Sequence, residues 1–323
     1  MPDQNTDPHR PIERRHVHVD GVVQGVGFRP FIYGLAARFG LSGWVLNSSS
    51  GVDVEVQGAV AALDAFQEAI TAEAPPLARI DPADRRYRYP FTNCTNCGPR
   101  YTIIRAMPYD RPQTTMAGFP MCPDCQAEYH DPLDRRFHAQ PNACPVCGPH
   151  VTLVADGELT ATLDPSLPDD LARAAALLRG GAILAVKGLG GFHLACDATN
   201  AEAVARLRER KSRPDKPFAV MIASLDEVRG HCTVNEDEAA LLSGPSAPIV
   251  LLYRRPESSI APNVAPDNPM LGVVLPYTPL HHILMRDAGC PLVMTSGNLG
   301  GLPVIADDAE AQEKLAHIAD AFL

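Results

Sequence analysis

Six of the nine cysteines fall in three Cys-x-x-Cys pairs, Cys94/Cys97, Cys122/Cys125 and Cys144/Cys147. Eighteen residues separate the second pair from the third, the spacing at which two tight thiolate turns close on one tetrahedral zinc ion. Disulfides are the competing use of such pairs, and they belong to oxidising compartments. The first pair has no cysteine before it, and 24 residues lie between it and the second. His130, His138 and His150 are candidate extra ligands for it but lack a diagnostic spacing, so a second metal site reads as incomplete. Cys196, Cys232 and Cys290 stand alone and read as small core residues.

A second chemical feature is a glycine-rich loop. Residues 15 to 20 alternate polar and apolar as a half-buried strand does. Val23, Gln24, Gly25, Val26, Gly27 and Phe28 then lead into Arg29 and a helix begun by Pro30. Such a loop turns backbone N–H groups into a nest for phosphate oxygens, and Arg29 adds a bidentate fork. A tight turn without a ligand uses the same residues.

The third feature begins near Leu159. Residues 168 to 179 pattern as a helix, residues 182 to 186 as a buried strand, and Lys187-Gly-Leu-Gly-Gly-Phe-His193 follows. Those glycines lead back into an apolar strand, which excludes a dinucleotide fingerprint. Thr199-Asn-Ala-Glu202 reads as a capping box for a helix through Arg210. That helix closes on Lys211-Ser-Arg213-Pro-Asp-Lys216, basic residues that also complement a helix dipole.

The elements that must position these groups are constrained by composition. The chain has 323 residues, 46% apolar and 20% charged, which fits two or three globular domains. A net charge of -10 argues against bulk binding to nucleic acid or acidic lipid. No apolar run approaches about 18 residues, and residues 1–14 read as a polar, disordered tail without a signal-peptide core. A cytoplasmic, non-membrane protein is expected. Residues 75 to 150 carry nine Arg and no Lys, and 15 of the 31 prolines fall between 71 and 170. Metal, rather than a large core, must hold that stretch.

VDGVVQGVGFRPF followed by GWVLNSSSGVDVEVQG resembles the acylphosphatase signature. The resemblance implies a ferredoxin-like domain over 15–82, with the third strand at 52–57 and the second helix at 59–73. Its last strand, after Pro75, is left only four or five residues, so either it is cut short or residues 86 to 90 take its place. It also implies that residues 23 to 29 hold phosphate, that Arg29 pairs with it, and that Asn47 positions the attacking water. An acyl phosphate is already activated, so charge neutralisation and an oriented nucleophile suffice.

KGLGGFHLACDA, KSRPDKPFA, LPYTPLHH and TSGN resemble the YrdC-like twisted α/β domain, here over 160–323. That likeness implies that Lys211, Arg213, Ser296 and Asn298 contact ATP or the acyl group, with Lys187 and His193 lining the pocket and Mg2+ accompanying the nucleotide. Together with an irregular zinc-finger region over 83–152, this α+β order is similar to the HypF carbamoyltransferase family of [NiFe]-hydrogenase maturation. The family implies carbamoyl phosphate and ATP as substrates, carbamoyl adenylate as intermediate, and the C-terminal cysteine of HypE as acceptor.

Two departures are expected to matter. Family members carry a fourth Cys-x-x-Cys pair upstream of the match to Cys94/Cys97, and this chain stops inside the YrdC-like domain. Full transfer is therefore not expected of this chain, with hydrolysis the step it retains. A YrdC-like tRNA threonylcarbamoyl-adenylate factor and a non-catalytic zinc-dependent assembly module are the alternatives. KGLGGFHL argues against the first, since its members carry a threonine-rich motif there.

Overall fold

The computed structural model describes residues 12–20, 28–47, 51–73, 84–92 and 101–323. It divides into two compact units, Met1–Tyr87 with Phe91–Pro149, and Arg88–Pro90 with His150–Leu323. Among the described residues, no helix is long and apolar enough to cross a membrane.

In the first unit, β1 (Ile12–Asp20), α1 (Phe28–Arg38), β2 (Ser42–Asn47), β3 (Gly51–Ala59) and α2 (Val60–Ala72) follow in order. The sheet runs β1-β3-β2, antiparallel throughout. Val52, Val54 and Val56 alternate onto one face of β3 and pack with Ile32 and Leu35 of α1 and Leu63 and Phe66 of α2. β1 starts three residues before the expected Arg15, because its pairing with β3 continues to Ile12 opposite Ala59. A short last strand after Pro75 would fall on residues outside those described, and residues 86 to 90, its alternative, form turns rather than a strand.

Among the described residues, the finger that follows has one α-helix, α3 (Pro123–His130), among short 3-10 turns. Proline density predicts that irregularity. Pro123 sits at the first helical position, where its missing N–H leaves no bond unmade.

The second unit carries an eight-stranded mixed sheet of β4 (Val154–Ala155), β5 (Leu184–Gly188), β6 (Gly191–Asp197), β7 (Ala219–Met221), β8 (Val250–Tyr253), β9 (Met270–Val274), β10 (Leu292–Ser296) and β11 (Ala321–Phe322). Its order is β4-β11-β5-β6-β10-β7-β9-β8. The helices are α4 (Gly157–Ala161), α5 (Asp170–Arg179), α6 (Ala201–Arg210), α7 (Leu225–His231), α8 (Glu236–Ser243), α9 (Pro279–Ala288) and α10 (Asp308–Lys314). Leu184, Val186, Ala195 and Met294 face α5 and α9, while Ile183, Ala185, Leu194 and Val220 face α6 and α10. Both faces are covered, so the strands read as continuous apolar runs.

Two local expectations shift. α5 begins at Asp170 rather than Pro168, because the Asp169 carboxylate caps it by accepting from the Ala172 N–H at 2.8 Å. α6 is capped by Asn200, whose side chain accepts from the Glu202 and Ala203 N–H groups; Thr199 instead donates its hydroxyl to Asp197 at 2.7 Å. The sequence Thr199–Glu202 is thus no capping box.

Arg88 lies within the second unit, in the left-handed region at φ 63°. Its guanidinium forks onto Asp169 at 2.7 and 2.9 Å and onto Asp287 at 2.6 and 3.1 Å. One side chain therefore joins the start of α5 to the end of α9.

Candidate functional site

The four thiols of Cys122, Cys125, Cys144 and Cys147 all lie within 4.8 Å of one another. Three of their sulfur–sulfur separations are 3.6, 3.7 and 3.8 Å. A tetrahedron with zinc–sulfur bonds of about 2.3 Å has edges of about 3.8 Å, so the donor set fits zinc. Burial pushes the Cys125 thiol up to about 12, which means four thiolates need a cation among them. Arg85 and Arg86 each donate to Cys125 Sγ at 3.3 Å, and both also bind Glu128, at 2.8 and 2.5 Å. Such donors steady the sulfurs and orient them. Cys94 and Cys97 lie outside the described residues, and His130, His138 and His150 join no ligand cluster among those that are described.

Residues 23 to 27 and the Asn47 side chain are likewise outside what is described. Phe28 is buried at the start of α1, and Asn47 ends β2 opposite Val52. Arg29, half-buried on the first turn of α1, has its pKa lowered by burial, with Tyr129 and Asp110 of the finger opposing that shift. His138 is lowered by burial and then by Arg29, and its ring stacks on Tyr129 at 5.2 Å. His138, a metal candidate by residue type, and Tyr129, which no sequence pattern marks, share the charge of Arg29 instead.

In the second unit, Lys211 and Arg213 follow α6 and meet the end of β10. Lys211 Nζ donates to the Ser296 carbonyl at 2.6 Å and to the Asn298 carbonyl and side-chain oxygen, both at 3.0 Å. The Ser296 hydroxyl donates to the same Asn298 oxygen at 2.7 Å. Burial, and then Arg213, lowers Lys211 to about 8. The turn needs Gly297, since a Cβ there would meet the Phe192 carbonyl oxygen at 2.6 Å. Beside it opens a cleft of about 340 Å³ lined by Arg213, Phe218, Met270, Met294, Thr295 and Ser296. An apolar wall with the Arg213 cation beside it suits a ligand that joins an apolar ring to an anion.

Arg208 builds this site without having been singled out in the sequence. Its buried guanidinium donates to the carbonyls of Arg213, Pro214 and Lys216 at 2.8, 3.0 and 3.2 Å and so fixes the basic loop. The signal available was an arginine on the buried face of an amphipathic helix.

Lys187 and His193 are not brought together. Lys187 is paired across the hairpin with Phe192, and Val186 with His193, so the two side chains leave opposite faces of the sheet. The Lys187 ammonium sits 2.5 Å from Asp308. His193 points instead toward His281, with ring centroids 6.2 Å apart. His281 is fully buried, packs edge-on to Tyr277 at 4.5 Å, and neither of its ring nitrogens has a partner. Burial, and then His193 and His282, lowers it to about 3.

Comparison with known proteins follows the same divisions. The acylphosphatase family model matches residues 15–89, and the HypF finger model matches 80–104 and 121–154. The model described as telomere recombination, of the Sua5, YciO and YrdC proteins, matches 176–323. The chain is 46% identical to carbamoyltransferase HypF2 of Cupriavidus necator and 48% identical to carbamoyltransferase HypF of Rhodobacter capsulatus, over 98% and 95% of its own length. It covers 47% and 46% of those proteins, and so spans about half the length of the curated relatives it matches. A crystal structure of full-length HypF in its phosphate- and nucleotide-bound form matches with a TM-score of 0.81 at 43% identity, covering 97% of this chain and 46% of that one.

Proposed function

The chain belongs to the HypF carbamoyltransferase family over about half the length of its relatives, and from that premise we propose two linked steps for it. In the first, water attacks carbamoyl phosphate, giving carbamate and inorganic phosphate. Arg29 neutralises the phosphoryl oxygens and Asn47 orients the water, so no base of tuned pKa is needed. In the second, a carbamate oxygen attacks the α-phosphorus of ATP and pyrophosphate leaves, giving carbamoyl adenylate. Lys211 and Arg213 shield the phosphate charge from an anionic nucleophile, with Mg2+ bound to the nucleotide. The acceptor in this reading is the C-terminal cysteine of HypE, whose thiolate attacks the carbamoyl carbon and expels AMP.

The observation that carries the reading is that Lys211 is fastened to the Ser296–Asn298 turn while Arg213, 3.4 Å from the Thr295 hydroxyl, lines the cleft beside it. That a related full-length HypF was crystallised in a phosphate- and nucleotide-bound form supports these classes of ligand. Phosphate release from carbamoyl phosphate tests the first step. Wild type is expected to exceed an Arg29→Ala, Asn47→Ala double variant by at least about a hundredfold; equal release would reject it.

A further inference from the structure

The outer face of the β1-β3-β2 sheet carries a second set of metal-ligating side chains, separate from the finger. Val17 and Val19 pack against the core of the first unit, so His16 and His18, at the alternate positions of β1, leave the opposite face. The register sets His16 across from Glu55 and His18 across from Asp53, between the buried Val52, Val54 and Val56. Two imidazoles and two carboxylates thus occupy the corners of one cross-strand square, whose facing side chains start about 5 Å apart.

The imidazoles converge on one atom. His18 Nδ1 lies 2.6 Å from Asp53 Oδ1, and His16 Nε2 lies 3.4 Å from the same oxygen. Glu55 stands beside them and is shared with Arg14, whose guanidinium is 3.4 Å away. Trp44, across from Glu55 on β2, has its ring 6.3 Å from that of His16. A surface ladder of ion pairs sets one cation against each carboxylate. Here two imidazoles meet at a single carboxylate oxygen, where a cation can sit with the carboxylate turned to one side of it. Among the described residues only the finger thiols are already drawn to within 4.8 Å of one another. On the sheet the donors are partly exposed side chains, and rotation about their χ angles closes them on an ion.

We propose that His16, His18 and Asp53 bind one divalent transition-metal ion on this face, with Glu55 or water completing its shell. Mixed imidazole and carboxylate donors suit Zn2+, Ni2+ or Co2+ and select against Mg2+ and Ca2+, which take oxygen ligands. The site is open to solvent, so its ion exchanges and is lost on desalting, whereas the finger keeps the zinc held by four thiolates.

Trp44 is the one tryptophan of the chain and reports on the site directly. The probe is Ni2+, which quenches indole emission at short range, titrated into the desalted, zinc-loaded chain. Saturable quenching is expected, with no effect of Mg2+ at the same concentration. His16→Gln, His18→Gln and Asp53→Asn should each raise the nickel midpoint at least about tenfold. Their thermal unfolding without nickel should match that of wild type, because substitutions on an exposed face cost little; if one variant fails to fold, the other two decide. Absent or unsaturable quenching in wild type would overturn the proposal. So would weakening confined to His16→Gln, which would mean a lone imidazole beside the indole rather than a chelate.

Discussion

The Lys211 ammonium lies 3.0 Å from the Asn298 side-chain oxygen, and that same oxygen accepts the Ser296 hydroxyl at 2.7 Å. A cation from the end of α6 is thus fastened to the turn that ends β10. Since Lys211 is lowered to about 8, its positive charge is lost as pH rises through that value. ATP affinity should therefore fall between pH 7 and pH 9. Lys211→Ala should cost about tenfold or more at pH 7 and flatten that dependence. Calorimetric titration with ATP at the two pH values checks this, and undiminished binding by the variant rejects the nucleotide assignment.

Cys144→Ser should release the metal, because three thiolates and a hydroxyl no longer match the tetrahedral set. Structural zinc in such small modules contributes about 10 kcal/mol or more, well beyond what the sparse apolar contacts of the finger supply. Metal analysis should find about one zinc per chain in wild type and almost none in the variant. Protease resistance of residues 101–149 should vanish with it. Two zinc ions per wild-type chain would show that the Cys94/Cys97 pair closes a second site.

His281 gives the second unit a pH-dependent stability. Its folded pKa, about 3, lies below the unfolded value of 6.5, so the unfolded chain binds the extra proton. Stability from this group is complete above pH 6.5 and declines as pH falls toward 3. At pH 5 the loss is about 2 kcal/mol. Denaturant titration at pH 7.5 and pH 5 measures it, and His281→Leu should remove most of the difference. An unchanged difference would place the effect elsewhere.

Arg88→Ala leaves two carboxylates facing each other's helices without their shared cation. The ion pairs are largely shielded from solvent and bidentate, so the expected destabilisation is about 2–3 kcal/mol. Asp169→Asn should cost less, since an amide still caps α5. Urea unfolding of the two variants decides the order, and a larger loss in Asp169→Asn would contradict it.

What the sequence discloses divides by distance along the chain. The zinc ligands are legible because each half of the site is a local turn and the interval between halves falls in a narrow range. The helix start at Asp170 is nearly so, displaced by one aspartate whose side chain outcompetes the proline before it. Lys211 and Asn298 are 87 residues apart, and only the likeness to a known domain joined them. Lys187 and His193 were grouped because they share a motif. The hairpin through Leu189 and Gly190 pairs Lys187 with Phe192, and a period of two then sends His193 to the other face. Arg88 reaches partners 81 and 199 residues away, a relation that no pattern in its own neighbourhood encodes.

β11 lies between β4 and β5, parallel to β5 and antiparallel to β4, with the Lys187 N–H donating to the Leu323 carbonyl at 2.8 Å. Residues 154 and 184 therefore wait for residue 322 before one edge of the sheet can form. During synthesis, the other six strands can assemble and bury their apolar faces while β4 stays unpaired behind them. β11 pairs with strands that lie far earlier in the sequence, and loop closure on that scale is slow. A nascent chain arrested before Ala321 should therefore expose the β5 edge to any chaperone that binds unpaired strands.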